Sequence, residues 1–452
     1  MEKREFLKAS GVIMASGLLP HFISGEQQIQ TGRNWAGNYQ YRAQLCEVPQ
    51  SLEELQKLVR RAKKLKALGA RHSFNAVADS QQNQISLEHF KQIEILGEEG
   101  SEATSATVAA GLRYGQLCPY LDRHGYALHN LASLPHITVA GACATGTHGS
   151  GSKNGNLASA VSSLEMVVAS GEVISLSRAH DGERFQGAVV GLGGLGVLTK
   201  ITLALQPSFS MGQVVYQNLS FDRLEDHLDE IFASGYSVSL FTDWQRHRAT
   251  EIWIKRRSES GTSIQWEDQF FGATKAQQKL HPIAEHPAES CTEQLGIVGP
   301  WYERLPHFRL NFTPSSGNEL QSEFFVPRDR GYEAILAVEK LKDQISPHLF
   351  ISELRTIAAD DFWLSPCYQR PSLAIHFTWK PEWRAVKQLL PVIENSLAPF
   401  DARPHWAKLF TISPLRLKQL YAKLPEYRSL ANEYDAGGKF RNPFLDRNIF
   451  AS

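Results

Sequence analysis

The chain has 452 residues, 42% of them apolar, with 47 Lys plus Arg against 47 Asp plus Glu. That length suggests two or three domains, and the apolar content excludes disorder over most of it. The balanced charge gives no general drive toward nucleic acid or an anionic membrane, and no uninterrupted apolar run reaches the roughly eighteen residues that a membrane span needs.

The chain opens on Lys3-Arg4-Glu5-Phe6-Leu7-Lys8, followed by a weakly apolar run from Gly11 to Leu19 and then Pro20. A basic start before a short apolar run has the layout of a signal peptide, here about residues 1–30. It resembles a twin-arginine signal with Lys3 in the place of the first arginine. The expectation is export in folded form to the periplasm by the twin-arginine translocase; without that signal the protein stays in the cytoplasm.

Ser51 and Glu54 form a capping box, and Leu52, Leu55, Leu58, Val59, Ala62 and Leu65 follow at helical spacing. The spacing predicts a helix through Leu65, its basic residues Arg60, Arg61, Lys63, Lys64 and Lys66 on a solvated face, with Gly69 ending the unit. Val161 to Ser177 reads as two strands around Ala169-Ser170-Gly171, and Val197 to Leu205 as a third, closed by Pro207. Beyond Pro207 strand-like runs (Val214–Leu219, Val238–Asp243, Glu251–Lys255, Leu373–Trp379) alternate with polar stretches, which places a domain boundary there. Cys46, Cys118, Cys143, Cys291 and Cys367 form neither a CxxC pair nor an even framework, so they read as buried free thiols without a metal.

Gly191-Leu-Gly193-Gly-Leu-Gly196 matches a dinucleotide fingerprint literally, yet a helix precedes it and a strand follows, the reverse of what that fingerprint needs. An NAD site is therefore rejected. The glycines instead suit a backbone passing close to something flat or anionic. Two other segments carry more chemistry. From Ala132 to Gly151 small residues dominate, so that backbone N–H groups from Ala140 onward could form a nest for a pyrophosphate, helped by the hydroxyls of Thr145, Thr147 and Ser150. Leu68-Gly69-Ala70-Arg71-His72-Ser73-Phe74-Asn75 places a histidine in a turn between two residues able to orient it.

The histidine turn, the Ala144-Thr-Gly-Thr-His-Gly-Ser-Gly151 loop and the Gly194-Leu-Gly-Val197 strand entry, in this order, resemble the vanillyl-alcohol oxidase superfamily of FAD enzymes. The resemblance is closest to the bacterial alditol (xylitol) oxidases, relatives of the sugar-lactone oxidases. It continues through Ser237–Trp244, Cys291–Gln294, Gly299–Trp301, Arg304–Arg309, Thr313–Gly317, Glu319–Glu323, Glu353–Arg355, His376–Trp379, His405–Lys408 and Gly438–Asn442.

The resemblance implies an α+β fold of two domains: a PCMH-type FAD-binding domain at residues 31–207, a cap with an antiparallel sheet at 208–408, and a return to the FAD domain at 409–452. It implies covalent FAD on His72, within Gly69, Ala70, Arg71, His72 and Ser73. Relatives usually carry Ser-Gly where this chain has Ala70-Arg71. Some attach the flavin to a second, cysteine residue as well, but Ala132-Ser133-Leu134-Pro135 supplies none, so one link is expected. Further cofactor contacts carry over as Ser133, Thr138, Gly141, Ala142, Cys143, Ala144, Thr145, Leu198 and His405. Ala132 falls where a small residue near the flavin edge suits access of O2.

The implied substrate residues are Ser133, Gln321, Glu353, Arg355, Thr378 and Lys408, with Arg355, Lys408, His376 and Glu353 catalytic. Residues two apart on a strand face the same way, so Glu353 with Arg355, and His376 with Thr378, would present their side chains to one pocket. A polyol is neutral and is gripped through its hydroxyls: Glu353 accepts, Arg355 and Lys408 donate, Ser133 and Thr378 do either. His376 is the expected helper for the hydroxyl proton because an ordinary histidine titrates near working pH. The implied reaction oxidises a primary alditol hydroxyl, with hydride passing to FAD and O2 reduced to hydrogen peroxide. The alternatives are a sugar-1,4-lactone oxidase, a dehydrogenase using another acceptor, or a polyol-binding flavoprotein without activity.

Overall fold

The computed structural model describes residues 28–29, 32–97, 104–258, 263–313 and 315–451. The signal-like segment lies outside the described residues, apart from Gln28 and Ile29 at its end.

The first helix opens at the Ser51 N-cap that the sequence announces, but the Glu54 side chain reaches back to Gln50 N–H rather than to that of Ser51, so the box is not closed. Glu54 N–H donates to Ser51 Oγ at 3.2 Å and Gln50 N–H to Glu54 Oε2 at 2.7 Å, opening α1 (Leu52–Arg61). Its apolar stripe, Leu55, Leu58 and Val59, packs with Leu65, Ile85, Val167, Val197 and Phe440. Burying each such side chain contributes about 1.5–3 kcal/mol.

The helix is shorter than its periodicity predicts. Ala62 is extended, and the chain re-enters the domain as a strand. Strands β1 (Leu45–Glu47) and β2 (Leu65–Ala67) both pair in parallel with β3 (Asn83–Ile85). The change of register carries Lys66 off the expected solvated face into the interior. There its Nζ donates to the carbonyls of Leu192 and Gly193, both at 2.8 Å.

A second, antiparallel sheet follows, built from β4 (Ile93–Leu96), β5 (Ser105–Ala109), β6 (Val161–Val167), β7 (Val173–Ser177) and β8 (Val197–Ala204), in the order β4-β5-β8-β6-β7. Strand β8 shows the cause of its own register: Val197, Thr199, Ile201 and Leu203 are buried while Lys200 and Ala204 are exposed. The helix α2 (Gly182–Val189) precedes the glycine run and β8 follows it, the order expected. One of these glycines is explained by the C-terminal segment: a Cβ on Gly194 would fall 2.5 Å from Tyr427 Oη.

Beyond Pro207 the chain builds a ten-stranded sheet. Its central strands are β9 (Ser210–Ser220), β10 (Ser237–Thr242), β11 (Arg248–Ser258), β12 (Leu320–Pro327), β13 (Leu349–Ile357) and β14 (Ser372–Trp379), in the order β9-β11-β10-β13-β14-β12. Strand β14 is buried along its whole length because both faces are covered. Leu373, Ile375, Phe377 and Trp379 enter the main apolar core with Ile335, Val338, Val386 and Leu390 of the covering helices. The alternate residues His376 and Thr378 face the other way, toward the first domain.

The chain then returns. Leu417, Tyr427, Leu445 and Ile449 join the main core, Phe440 packs with α1, and Leu65 N–H donates to Lys439 O at 2.9 Å. Asn442 Nδ2 reaches the carbonyls of Ala76, Val77 and Asp79 at 2.9, 3.2 and 2.7 Å. All five cysteines are buried free thiols. Among the described residues no helix is long and apolar enough to cross a membrane.

Candidate active site

Between the domains lies a cavity of about 470 Å³, within the usual range of cofactor and ligand sites. Every cofactor, substrate and catalytic residue that the resemblance implies lines it except Cys143; Ser150, expected as a hydroxyl donor, does not line it either. The Cys143 thiol turns into the core, 3.8 Å from Tyr114 Oη, because its helix presents the neighbouring residues to the cavity.

One end is made of backbone. The small-residue segment folds as a short helix, α3 (Val139–Ala144), rather than as an irregular nest, with Thr138 at its N-cap. The expected hydroxyl donors are engaged elsewhere: Thr145 Oγ1 donates to Gly141 O at 3.0 Å and lies 3.1 Å from Thr147 Oγ1, and Ser150 Oγ pairs with Ser239 Oγ at 2.7 Å. Gly69 and the first turn of α3 close around Thr138. A Cβ on Gly69 would fall 2.5 Å from Thr138 Oγ1, and one on Gly141 2.8 Å from it. This narrow wall continues through Gly193, Gly196 and Leu198. A long cleft walled by backbone and small residues fits a dinucleotide, whose phosphates need close approach to N–H groups and whose rings need flat apolar surfaces.

The histidine turn sits midway. Arg71 adopts a left-handed backbone, φ 63°, the conformation that a glycine, implied here by the resemblance, takes without strain. Its carbonyl accepts from Trp35 N–H at 2.8 Å, and the Trp35 ring stacks on His72 at 4.8 Å. Burial pushes His72 down to about 3, so its imidazole is neutral at neutral pH. The turn is tied to the segment before the C-terminal return: Phe74 N–H donates to Ala407 O at 2.7 Å, and Asn75 Nδ2 donates to the carbonyls of Trp406 and Lys408 at 2.8 and 2.7 Å.

The other end is built by strand register. On β14, His376 lies directly across from Glu353 of β13 on one side and Glu323 of β12 on the other; Thr378 lies across from Gln321. Arg355 Nη2 donates to Glu323 Oε1 at 2.5 Å, its Nε lies 3.5 Å from Glu353 Oε2, and its Nη1 reaches Ser133 Oγ at 3.4 Å. Burial would raise both carboxyls, but Arg355 and the neighbouring histidines outweigh it and hold Glu323 and Glu353 well below the carboxylate range. Lys408 Nζ donates to Gln321 Oε1 and stands 5.1 Å from the Phe74 ring centroid. Burial pushes it down to about 8, opposed by Glu323.

His376 differs from the expectation. Burial holds it at about 3 despite Glu323, so it is a neutral imidazole and not a group poised near neutrality. Nδ1 is enclosed, 3.7 Å from Glu323 Oε2, and Nε2 lies 3.2 Å from Thr378 Oγ1.

The sequence reading missed Glu323, His148, His307 and Lys255. Glu323, His148 and His307 stood in segments that carry the resemblance, but Glu323 meets the site through the β12–β14 register and the two histidines through loops folded against it. His148 Nε2 lies 3.1 Å from Glu323 Oε1, with His405 beside them. These three side chains could surround a cation, but Arg355 already occupies the same Glu323 oxygen and its charge opposes one.

The fold and site define a flavin-dependent oxidoreductase. Residues 43–177 match the FAD binding domain family and residues 315–448 the D-arabinono-1,4-lactone oxidase family. The solved cholesterol oxidase from B. sterolicum shares the fold, with a TM-score of 0.75 over 97% of this chain and 100% of that one at 14% identity. An alditol oxidase from a Streptomyces species is 44% identical over 91% of this chain and 97% of its own length. The L-gulonolactone oxidase of Mus musculus is 26% identical over 92% and 98%. The chain belongs to the alditol oxidase family.

Proposed function

We propose that this enzyme oxidises a primary hydroxyl of an alditol such as xylitol or sorbitol, with FAD covalently attached through His72 and O2 as acceptor. The observation that carries the reading is the Glu353–Arg355–His376–Thr378–Lys408 wall facing a glycine-walled cofactor cleft. Bound FAD would supply the hydride acceptor and, once reduced, the electrons that turn O2 into hydrogen peroxide. Gly69 to Ser73, Thr138, the first turn of α3, Leu198 and His405 would hold it.

The protein's part is binding, orientation and charge. Glu353 accepts from a polyol hydroxyl, while Ser133 and Gln321 grip others. Glu323 beside Nδ1 favours the His376 tautomer with its hydrogen there. With its pKa held at about 3 by burial, Nε2 accepts the hydroxyl's hydrogen bond and takes the proton only as the C–H bond breaks and that hydroxyl becomes strongly acidic, with Glu323 and Glu353 flanking the imidazolium that results. Arg355 and Lys408 stabilise the alkoxide charge that develops as the proton leaves.

Covalent attachment is tested by acid precipitation. A neutral, half-buried His72 that lines the cavity and whose ring has no hydrogen-bond partner among the described residues suits a nucleophilic nitrogen. The wild-type pellet should stay yellow and carry the added mass of FAD, while His72→Ala releases the flavin. Flavin in the wild-type supernatant contradicts the link.

We further propose that residues 1–30 direct export. A reporter fused after about residue 30, the usual upper length of a signal peptide, should reach the periplasm only when the twin-arginine translocase is intact. Activity confined to the cytoplasm contradicts this.

A further inference from the structure

A second line of contacts stands behind Glu353. Lys255, buried on β11, directs Nζ to the carbonyls of Leu305 at 2.6 Å and Pro306 at 3.1 Å, and to His307 Nδ1 at 3.1 Å. Across the same ring, His307 Nε2 lies 2.7 Å from Glu353 Oε1 and 3.3 Å from Ser239 Oγ. The ring is held edge-on by Trp253 at 5.1 Å and Phe241 at 5.6 Å. The His307 backbone N–H donates to Ser133 O at 3.1 Å, so this loop also fixes a residue of the substrate wall.

The protonation states follow from the contacts. Three acceptors around one lysine nitrogen match the three N–H groups of an ammonium. Glu353 is a carboxylate beside Arg355, so the hydrogen in the 2.7 Å contact belongs to His307 Nε2. Burial, with Lys255 adding to it, pushes His307 down to about 4, so the ring is neutral at neutral pH and its Nδ1 offers a lone pair. An ammonium at Nδ1 is what selects this tautomer.

We propose that Lys255 is a positioning residue for the substrate site: by fixing the His307 tautomer it holds Glu353 as a hydrogen-bonded carboxylate, an obligate acceptor for a polyol hydroxyl. This rests on the alditol reading of the cavity. With the opposite tautomer, a ring lone pair would face Glu353 and favour its protonated form, which presents a donor and reverses the polarity of that subsite. Nothing is oxidised or transferred; the relay is static. The other charged or titratable groups facing it are Arg355 on β13, His376 on β14, Glu323 on β12, Lys408, Arg304 and Cys291. Burial pushes Lys255 down to about 7, opposed by Glu353, so the lock is closed below neutral pH and loosens as the ammonium deprotonates above it.

The test compares Lys255→Met, His307→Gln and the double variant as flavin-loaded enzymes. In Lys255→Met the xylitol concentration for half-maximal flavin reduction should rise about tenfold near pH 6, and the difference from the wild type should shrink above about pH 7, where the wild-type ammonium is itself lost. The limiting rate should change less than about twofold, since uniform binding is lost. An amide at position 307 presents an N–H to Glu353 whatever Lys255 does, so in the His307→Gln background the added Lys255→Met change should shift nothing further. Imidazole ¹H–¹⁵N spectra near pH 6, with the His307 signals identified by their loss in His307→Gln, should show Nε2–H in the wild type and Nδ1–H in Lys255→Met. A wild-type His307 carrying its hydrogen on Nδ1, a Lys255→Met difference that is absent near pH 6 or does not shrink above neutral pH, or an equal change in the His307→Gln background overturns the proposal. A wild-type flavin that no polyol reduces overturns the alditol reading instead, and the spectrum still decides the lock.

Discussion

Arg355→Met should lower the rate of flavin reduction by xylitol by about three orders of magnitude and destabilise the fold by about 3–5 kcal/mol. The cause is the same for both effects. Arg355 is the guanidinium between two buried carboxylates, 2.5 Å from Glu323 and 3.5 Å from Glu353. Methionine fills similar space but leaves both carboxylates without it. One or both must then take up a proton, so the acceptors of the substrate wall are lost with the cation. Because Arg355 depresses both carboxyls, the stability it adds is present above the ordinary carboxylate range and is lost as pH falls through their lowered values. Denaturant unfolding and anaerobic stopped-flow reduction measure the two effects. A variant as stable as the wild type that still reduces its flavin would show that the buried ion pairs are not what organises this wall.

Lys408→Met should act on chemistry with little cost to the cofactor. The reduction rate should fall roughly a hundredfold or more, the scale of losing one charge-stabilising donor, while FAD content is kept because His72 and the glycine-walled cleft are untouched. Lys408 is pushed down to about 8 by burial, so the wild-type rate should fall as pH rises through about 8 and the ammonium is lost. The variant, already without that charge, should lack this limb. Near-normal reduction in Lys408→Met would place the needed charge elsewhere.

Much of this site can be read along one strand at a time. Glu353 with Arg355, and His376 with Thr378, share a face by the two-residue period alone, and the structure brings all four to one cavity. Contacts set by pairing between strands cannot be read that way. Glu323 meets His376 through the β12–β14 register, and Lys255 meets His307 across about fifty residues of sequence, where no local pattern connects them. Lys66 shows a different limit. Helical spacing runs smoothly from Leu52 to Leu65, but the chain leaves the helix after Arg61, and the strand pairing of Leu65–Ala67 turns the lysine inward. Position 376 shows a third limit: residue type names a possible base, whereas burial decides its pKa.

The most direct test mixes flavin-loaded enzyme anaerobically with xylitol, sorbitol or a sugar-1,4-lactone, then admits O2 and quantifies peroxide. Reduction of the bound flavin by the alditols in preference to the lactone, followed by one peroxide per flavin reoxidised, is the predicted result. A flavin that the lactone alone reduces, or that is reduced by alditols but returns no peroxide, would contradict the account.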